Sequence, residues 1–278
     1  MSDLLLRHEV PIRLGFFLGV FVAMALWEIY APRRRLGAPK GLRWVNNLAM
    51  VVLNSLLLRW SFPVLAVGMA AMGEDRAWGL LNNLLLPGWL AVLLGVVALD
   101  LVMYLQHVMM HSVPALWRLH RMHHADLDFD VTTGARFHPM EILISMGLKL
   151  AAVAALGPPA LAVLIFEVLV NASSMFNHGN VRLPERVDRW LRWLVVTPDM
   201  HRVHHSIVRQ ETDSNFGFNL PWWDRLLGTY RPQPAAGHLN MTIGLPYFRE
   251  RRFLLVPWML IQPALETAAQ ESARRGGE

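Results

Sequence analysis

Ten of the twelve histidines in this chain lie between positions 107 and 205, at spacings that make their side chains converge. His107 and His111 are one helical turn apart, so both imidazoles leave the same face and can grip one ion or reach toward two. His120, His123 and His124 in LHRMHH stand at i, i+3 and i+4, and His201, His204 and His205 in MHRVHH repeat that spacing. His138 in FHPME and His178 in FNHGN stand singly. Clustered imidazoles repel one another once protonated, and a protein gains little by gathering them unless a cation fills the space. The set therefore reads as a metal centre. His8 and His238 lie alone and read as ordinary polar residues.

Eight to ten nitrogens suffice for two ions at four or five ligands each, more than one tetrahedral zinc would use. The chain has no Cys, which excludes disulfides, iron–sulfur clusters, thiolate-ligated haem and Cys-type zinc sites. Neither the His-Glu-x-x-His of zinc proteases nor the Glu-x-x-His of soluble di-iron bundles occurs. Imidazole suits iron, copper, nickel and zinc alike, so ligand type leaves the metal open. Counting back from His107 along its face gives Tyr104 and Asp100. Glu167, Asn171, Ser174 and His178 likewise share a face at spacings of four, three and four. Ionisable groups inside an apolar segment are costly, so Asp100, with Tyr104, Glu167 and Asn171, is expected to support the ligands through hydrogen bonds that orient imidazoles.

The elements that must carry these residues are apolar. Of the 278 residues 54% are hydrophobic and 17% charged, and the apolar ones come in runs long enough for a bilayer. The fold class expected is all-α, a polytopic transmembrane helical bundle with a histidine-rich cap holding a dimetal site. Residues 14 to 30 form a first span; Ala23 and Ala25 resemble a signal-peptidase site, but the segment runs on into Arg33, Arg34 and Arg35, which favours an uncleaved span. Further runs cover 44 to 72 and Pro87 to about Met110. The first loop carries Arg33, Arg34, Arg35, Lys40 and Arg43 and is assigned to the cytoplasm by the positive-inside rule, which places the histidines there too. Residues 140 to 176 are split by Gly157, Pro158 and Pro159 into halves about 25 Å long, short against a hydrocarbon core of about 30 Å. With Lys149 in the first half, they read as a tight or shallow hairpin. The stretch 181 to 247 is soluble in character, 248 to 265 reads as an interfacial segment, and QESARRGGE at the end as a frayed tail. Three regions follow: N-terminal transmembrane helices in 1–86, a catalytic region in 87–232, and an interfacial segment with tail in 233–278. The +5 net charge sits between apolar runs, which argues for membrane topology and against nucleic acid.

The motifs HVMMH (107–111), HRMHH (120–124), RFHPME (136–141), NHGN (177–180), TPDMHRVHH (197–205) and DSNFGFNLPWWDRLLGTY (213–230) together resemble the fatty acid hydroxylase / sterol desaturase superfamily of membrane-bound non-haem di-iron oxygenases. The resemblance covers roughly residues 95 to 232. It implies that His107, His111, His120, His123, His124, His201, His204 and His205 are catalytic metal ligands, with His138 and His178 as further ones. It implies two ferrous ions as cofactor, with zinc a possible substitute in purified protein, and O2 as co-substrate. Hydrogen would be removed from an unactivated C–H bond of a membrane lipid, such as an acyl chain or sterol; rebound gives an alcohol and a second abstraction an alkene. The closing motif, with Asn215, Phe216, Gly217, Trp223, Asp224, Arg225, Gly228 and Thr229, reads as a packed lid more than as direct machinery.

No dinucleotide fingerprint, Cys cluster or fused cytochrome is visible, so the electrons are expected from a separate donor of cytochrome b5, ferredoxin or reductase type. The Arg-rich stretch 182 to 209 suits either an acidic redox protein or anionic lipid headgroups. The localisation expected is integral and multi-pass, in the inner membrane if the source is bacterial. The alternatives are a desaturase or lyase on the same site, a membrane metal hydrolase, and a metal transporter; the last would need ligands near the bilayer midplane, where these are not.

Overall fold

A computed structural model describes residues 2–266, and the terminal QESARRGGE lies outside the described residues. Helices account for the regular structure, and among the described residues the only β pairings are the isolated bridges Pro32–Val181 and Ser206–Ile243. In order these are α1 Ser2–Arg7, α2 Glu9–Tyr30, α3 Lys40–Ser61, α4 Ala66–Asp75, α5 Gly88–Ser112, α6 Pro114–His124, α7 Pro139–Leu156 and α8 Ala160–Asn177. Short helices follow: α9 Glu185–Leu191, α10 Pro198–His204, α11 Arg209–Thr212, α12 Trp222–Leu226, α13 Gly237–Asn240 and α14 Val256–Ile261. Among the described residues five segments are long and apolar enough to cross a membrane: Glu9–Tyr30, Lys40–Asp75, Gly88–Ser112, Pro139–Leu156 and Ala160–Asn177. Their large exposed side chains, Phe16, Val22, Val52, Leu56 and Leu93 among them, are what a lipid-facing surface requires.

The second run is longer than the 44–72 its hydropathy suggests, and it breaks at Pro63, which with Arg59 interrupts the apolar sequence. It is helical from Lys40, stops at Ser61 before Phe62 and Pro63, and resumes at Ala66, because Pro63 has no N–H to continue the first helix. The 140–176 region forms two helices joined at Gly157, Pro158 and Pro159, and Gly157 caps α7 in the left-handed conformation (φ 58°) that glycine adopts without penalty. Ala66, Ala70, Leu99, Val153, Ala160 and Phe166 pack there into the main bundle core. Lys149 does not face lipid: its Nζ donates to Glu167 Oε1 at 3.0 Å, and Arg13 reaches Glu167 Oε2 at 2.9 Å.

Above the bundle the segment after α6 is tied down by buried charge. Arg43, fully buried, donates Nε to Asp126 Oδ1 (2.7 Å), Nη2 to Asp126 Oδ2 (2.8 Å) and Nη1 to Asp130 Oδ2 (2.5 Å). Burial alone would raise the Asp126 carboxyl, but the Arg43 charge and its hydrogen bonds hold it at about 2. Glu28 Oε1 accepts from the N–H groups of Val131 and Asn180, which ties the end of α2 to the same cap. The 248–265 segment packs as a strap: Met259 lies against Met50 and Met122, and the Gln262 and Leu265 carbonyls accept from Arg121.

Candidate metal centre

Four elements bring the imidazoles together. His107 and His111 leave the last turns of α5; α6 turns back after Val113, with Pro114 starting it, and offers His120, His123 and His124. His178 follows α8 as its C-cap, and α10, started by Pro198 and capped by Thr197 Oγ1 accepting from Met200 N, supplies His201, His204 and His205. Nine of the ten predicted histidines converge, all buried, in two groups. His107, His111, His120, His124 and His204 form one and His123, His178, His201 and His205 the other, with one ligand atom of each residue within 4.8 Å of those of the rest of its group.

The tautomers follow from the outer partners. The Nδ1 of His107 faces the Phe216 carbonyl at 2.7 Å, that of His178 the Ser174 carbonyl at 2.7 Å, and that of His204 the Ser214 carbonyl at 2.7 Å. A carbonyl only accepts, so each Nδ1 carries the proton and each Nε2 turns a lone pair inward. His120 Nδ1 meets Glu141 Oε1 at 2.6 Å, which fixes the same tautomer there. The inward nitrogens of His107 and His120 then face one another at 3.2 Å without a hydrogen between them, and the Nε2 of His178 stands 3.2 Å from that of His123 and 3.1 Å from that of His201. Opposed lone pairs at that distance repel. Two nitrogens each about 2.1 Å from one ion lie roughly 3.0–3.4 Å apart, so the spacing is that of ligands sharing a cation. His204 Nε2 and both nitrogens of His205 are buried with no protein partner. Burial first, then the neighbouring imidazoles, push His123, His124, His201 and His205 well below the usual imidazole value; burial takes His178 to about 4 and His204 to about 3. All stay neutral and able to ligate at physiological pH. The donor set fits two ions.

Other predicted residues lie elsewhere. His138 joins neither group: it caps α7, its Nδ1 accepting from Met140 N at 3.1 Å while Nε2 donates to the Leu260 carbonyl at 3.1 Å. Asp100 orients no imidazole; it accepts from Asn219 Nδ2, Leu220 N and Trp223 Nε1 and so anchors the closing motif to α5. Tyr104 bonds Thr229 Oγ1, Glu167 pairs with Lys149 and Arg13, and Asn171 donates to the Glu167 carbonyl. The ring-orienting groups are Glu141, Asp213 (3.2 Å from His111 Nδ1) and three main-chain carbonyls. Glu141 and Asp213 both stand inside the quoted motifs, but at no helical spacing from the imidazoles they serve. The closing motif acts through its backbone: Asn215 takes a left-handed φ of 52°, Asp224 accepts from the N–H groups of Phe216 and Gly217, and the Phe216 carbonyl is thereby aimed at His107.

From the first histidine group a cavity of about 330 Å³ runs down between the helices. His107, His120 and Glu141 line its top, Phe17, Leu48, Met103 and Met146 its walls, and Arg13, Lys149 and Glu167 a charged patch farther down.

Residues 92–229 match the family profile described as fatty acid hydroxylase. Among curated relatives, the chain is 30% identical over 199 residues to the ornithine lipid hydroxylase OlsE of Rhizobium tropici, covering 66% of this chain and 59% of that one. It is 29% identical over 150 residues to the alkylglycerol monooxygenase of Xenopus tropicalis, covering 52% and 31%, and 26% identical over 178 residues to the methylsterol monooxygenase 2-2 of Arabidopsis thaliana, covering 62% and 66%. The match thus spans between about a third and two thirds of each relative's length. No solved structure matches the chain. The converging histidine motifs all lie inside the matched stretch, and residues 92–229 form a fatty acid hydroxylase domain of the fatty acid hydroxylase / sterol desaturase superfamily.

Proposed function

We propose that this protein is a membrane-bound lipid hydroxylase that holds two iron ions, one in each histidine group, and uses O2 with electrons from a separate donor protein. His107, His111, His120, His124 and His204 hold one ion, and His123, His178, His201 and His205 the other. The observation that carries the reading is that the cavity begins at His107 and His120 and is walled by apolar side chains, so that a lipid chain lying in it brings a C–H bond to the first group. The names of the relatives, an ornithine lipid hydroxylase, an alkylglycerol monooxygenase and a methylsterol monooxygenase, support oxygen insertion into a lipid over hydrolysis or transport.

Bound and reduced, two iron ions supply the electrons and Lewis acidity by which O2 is activated for attack on an unactivated C–H bond. The chain's own part is positioning and dryness. Phe17, Leu48, Met103 and Met146 hold an apolar chain and exclude water. Glu141 steadies His120, and its Oε2 has no protein partner, which leaves one acceptor beside the reacting end of the cavity.

The cap is assigned to the cytoplasm, at the inner membrane if the source is bacterial, because Arg34 and Arg35 stand beside it. Arg33, Lys40 and Arg43 contribute less to that signal than their place in the loop suggests, since all three are held in ion pairs, Arg33 with Asp199, Lys40 with Glu28 and Arg43 with Asp126. The absence of native cysteine allows a direct check: Glu185→Cys should react with a membrane-impermeant maleimide in inverted vesicles and not in intact cells. The activity is tested by comparing whole-cell lipids by mass spectrometry with and without the protein, His204→Ala being the control. A lipid that gains one oxygen only with the unmodified chain is the expected result. One that loses two hydrogens instead would replace hydroxylation by desaturation.

A further inference from the structure

The Arg-rich stretch after residue 181 forms a cleft of about 690 Å³ on the cap, lined also by His238 but by no member of the two histidine groups. Arg33, Arg182, Arg186, Arg189, Arg192 and Arg225 line it against three carboxylates, Glu185, Asp188 and Asp199. The carboxylates do not neutralise it. Asp199 is taken by Arg33 and Arg202, and Asp188 by Arg192, which leaves Glu185, exposed and in no ion pair among the described residues, as the one carboxylate against the remaining guanidinium groups. Arg182, Arg186 and Arg189 are exposed and make no ion pair among the described residues. At the floor Arg192, 4% exposed, donates Nη1 to the Pro232 carbonyl and has no protein partner for Nη2. A buried guanidinium donor without an acceptor, under three free guanidinium groups, is suited to an anion with several oxygens.

The rim decides which anion carrier fits. Trp193 lies under Arg225 at 3.9 Å, and its carbonyl accepts from Trp222 Nε1, so α9 and α12 form one edge. That edge is apolar and exposed: Trp190 is 75% and Leu226 73% exposed, with Trp193, Leu194, Trp222 and Leu227 beside them. Its level relative to the bundle is set by Asp100, which accepts from Leu220 N and Trp223 Nε1. Asp100 lies seven residues below His107 on α5, about 10 Å toward the middle of the span. The Trp- and Leu-rich edge therefore lies alongside a membrane-spanning helix. Trp and Leu beside a span, with guanidinium groups above them, is the arrangement that sits at the boundary between acyl chains and headgroups. A soluble acidic protein would have no use for an apolar rim at that depth.

We propose that this cleft binds the phosphate of an anionic lipid headgroup in the leaflet on the histidine side, with α9 and α12 inserted among its acyl chains. The full-length protein, purified in mild detergent, is offered equimolar dioleoyl phosphatidylglycerol and dioleoyl phosphatidylcholine, and the retained lipid is counted by native mass spectrometry. One phosphatidylglycerol per chain should be retained in preference to phosphatidylcholine. Each arginine near an anionic headgroup contributes about fivefold, so Arg186→Gln/Arg189→Gln should reduce that preference by about 30-fold. Bound metal and melting temperature should not change, because both side chains are exposed and unpaired. Equal retention of the two lipids, or the same preference in the variant, would overturn the proposal. Displacement of phosphatidylglycerol by equimolar inorganic phosphate would assign the site to a free anion instead. Unchanged lipid retention, with reduction by a cytochrome b5-type donor impaired in the variant, would assign it to an acidic protein. None of these readouts needs turnover, so they stand apart from the hydroxylase reading.

Discussion

The two histidine groups are built from the same helices, yet they are held differently. In the group of His107, His111, His120, His124 and His204, four rings have an outer partner: the Phe216 carbonyl, Asp213, Glu141 and the Ser214 carbonyl. In the group of His123, His178, His201 and His205 only His178 does; the Nδ1 atoms of His123 and His201 and both nitrogens of His205 are buried without protein partners. The first group also borders the cavity through His107 and His120, whereas no member of the second lines it. The difference has a physical reason. A site that must meet a substrate has to keep its geometry while one face stays open, so its rings are fixed from behind. A site enclosed by protein can let the ion itself align the rings. The first group is accordingly read as the substrate-facing one and the second as its closed companion.

Removing one ligand from each group should have the largest effect. His204→Ala and His123→Ala should each abolish lipid hydroxylation and lower bound metal from two ions to about one per chain, measured by elemental analysis. Unchanged metal in either variant would remove that residue from the ligand set. Changing an outer partner is the next step down. Glu141→Gln should cost 10- to 100-fold in activity or in affinity for the ion of the first group and leave the second intact. Equal loss from both groups would show that the two sites are one mechanical unit. Gly134→Ala is the counterpart for the second group. A Cβ there would meet Ser174 O at 2.8 Å and His178 Nδ1 at 3.0 Å, so the ring must shift, and metal loss should be confined to the second group and be partial.

Acidification tests both groups at once. The His178 and His204 values of about 4 and about 3 lie below the usual imidazole value of 6.5, so between those limits the unfolded chain binds more protons than the folded one. Stability is then complete above about pH 6.5 and falls as pH drops toward 3–4. Metal release should follow the same direction. A melting temperature that does not change from pH 7 to pH 4.5 would mean that the rings are protonated in the folded protein.

Much of this was legible in the residues, and what was not has a common cause. The apolar runs and the i, i+3, i+4 histidines are local patterns, and local patterns survive as helices and ligand faces; nine of the ten histidines converge. The helical stripe below them was legible as a face but not as a set of partners. Asp100 and Tyr104 do share a side of α5 with His107, but a side chain seven or three residues away along a helix points past the imidazole, and what it meets is a loop more than 100 residues distant in sequence, Asn219–Trp223 and Thr229. The main-chain carbonyls of Phe216 and Ser214 carry no side-chain signature at all. Lys149 and Glu167, which read as a bar to crossing and as ligand support, turn out to satisfy one another across α7 and α8. No periodicity within either helix announces that pairing.

The smallest effect is expected at His138, the one predicted ligand that stands apart, and it tests whether membership of a group or mere proximity in sequence matters. Its ring ends α7 on two hydrogen bonds, one from Met140 N and one to the Leu260 carbonyl. His138→Ala therefore removes a helix cap and one tie to the strap, at a cost of about 1 kcal/mol for a cap of this kind. The melting temperature should fall by a few degrees, with two ions still bound and hydroxylation close to the unmodified rate. His138→Asn, which can cap the same N–H, should recover most of that stability. Had the ring been a ligand, asparagine would restore stability without restoring metal. Metal content measured in these two variants therefore separates a cap from a ligand even though both remove the same imidazole.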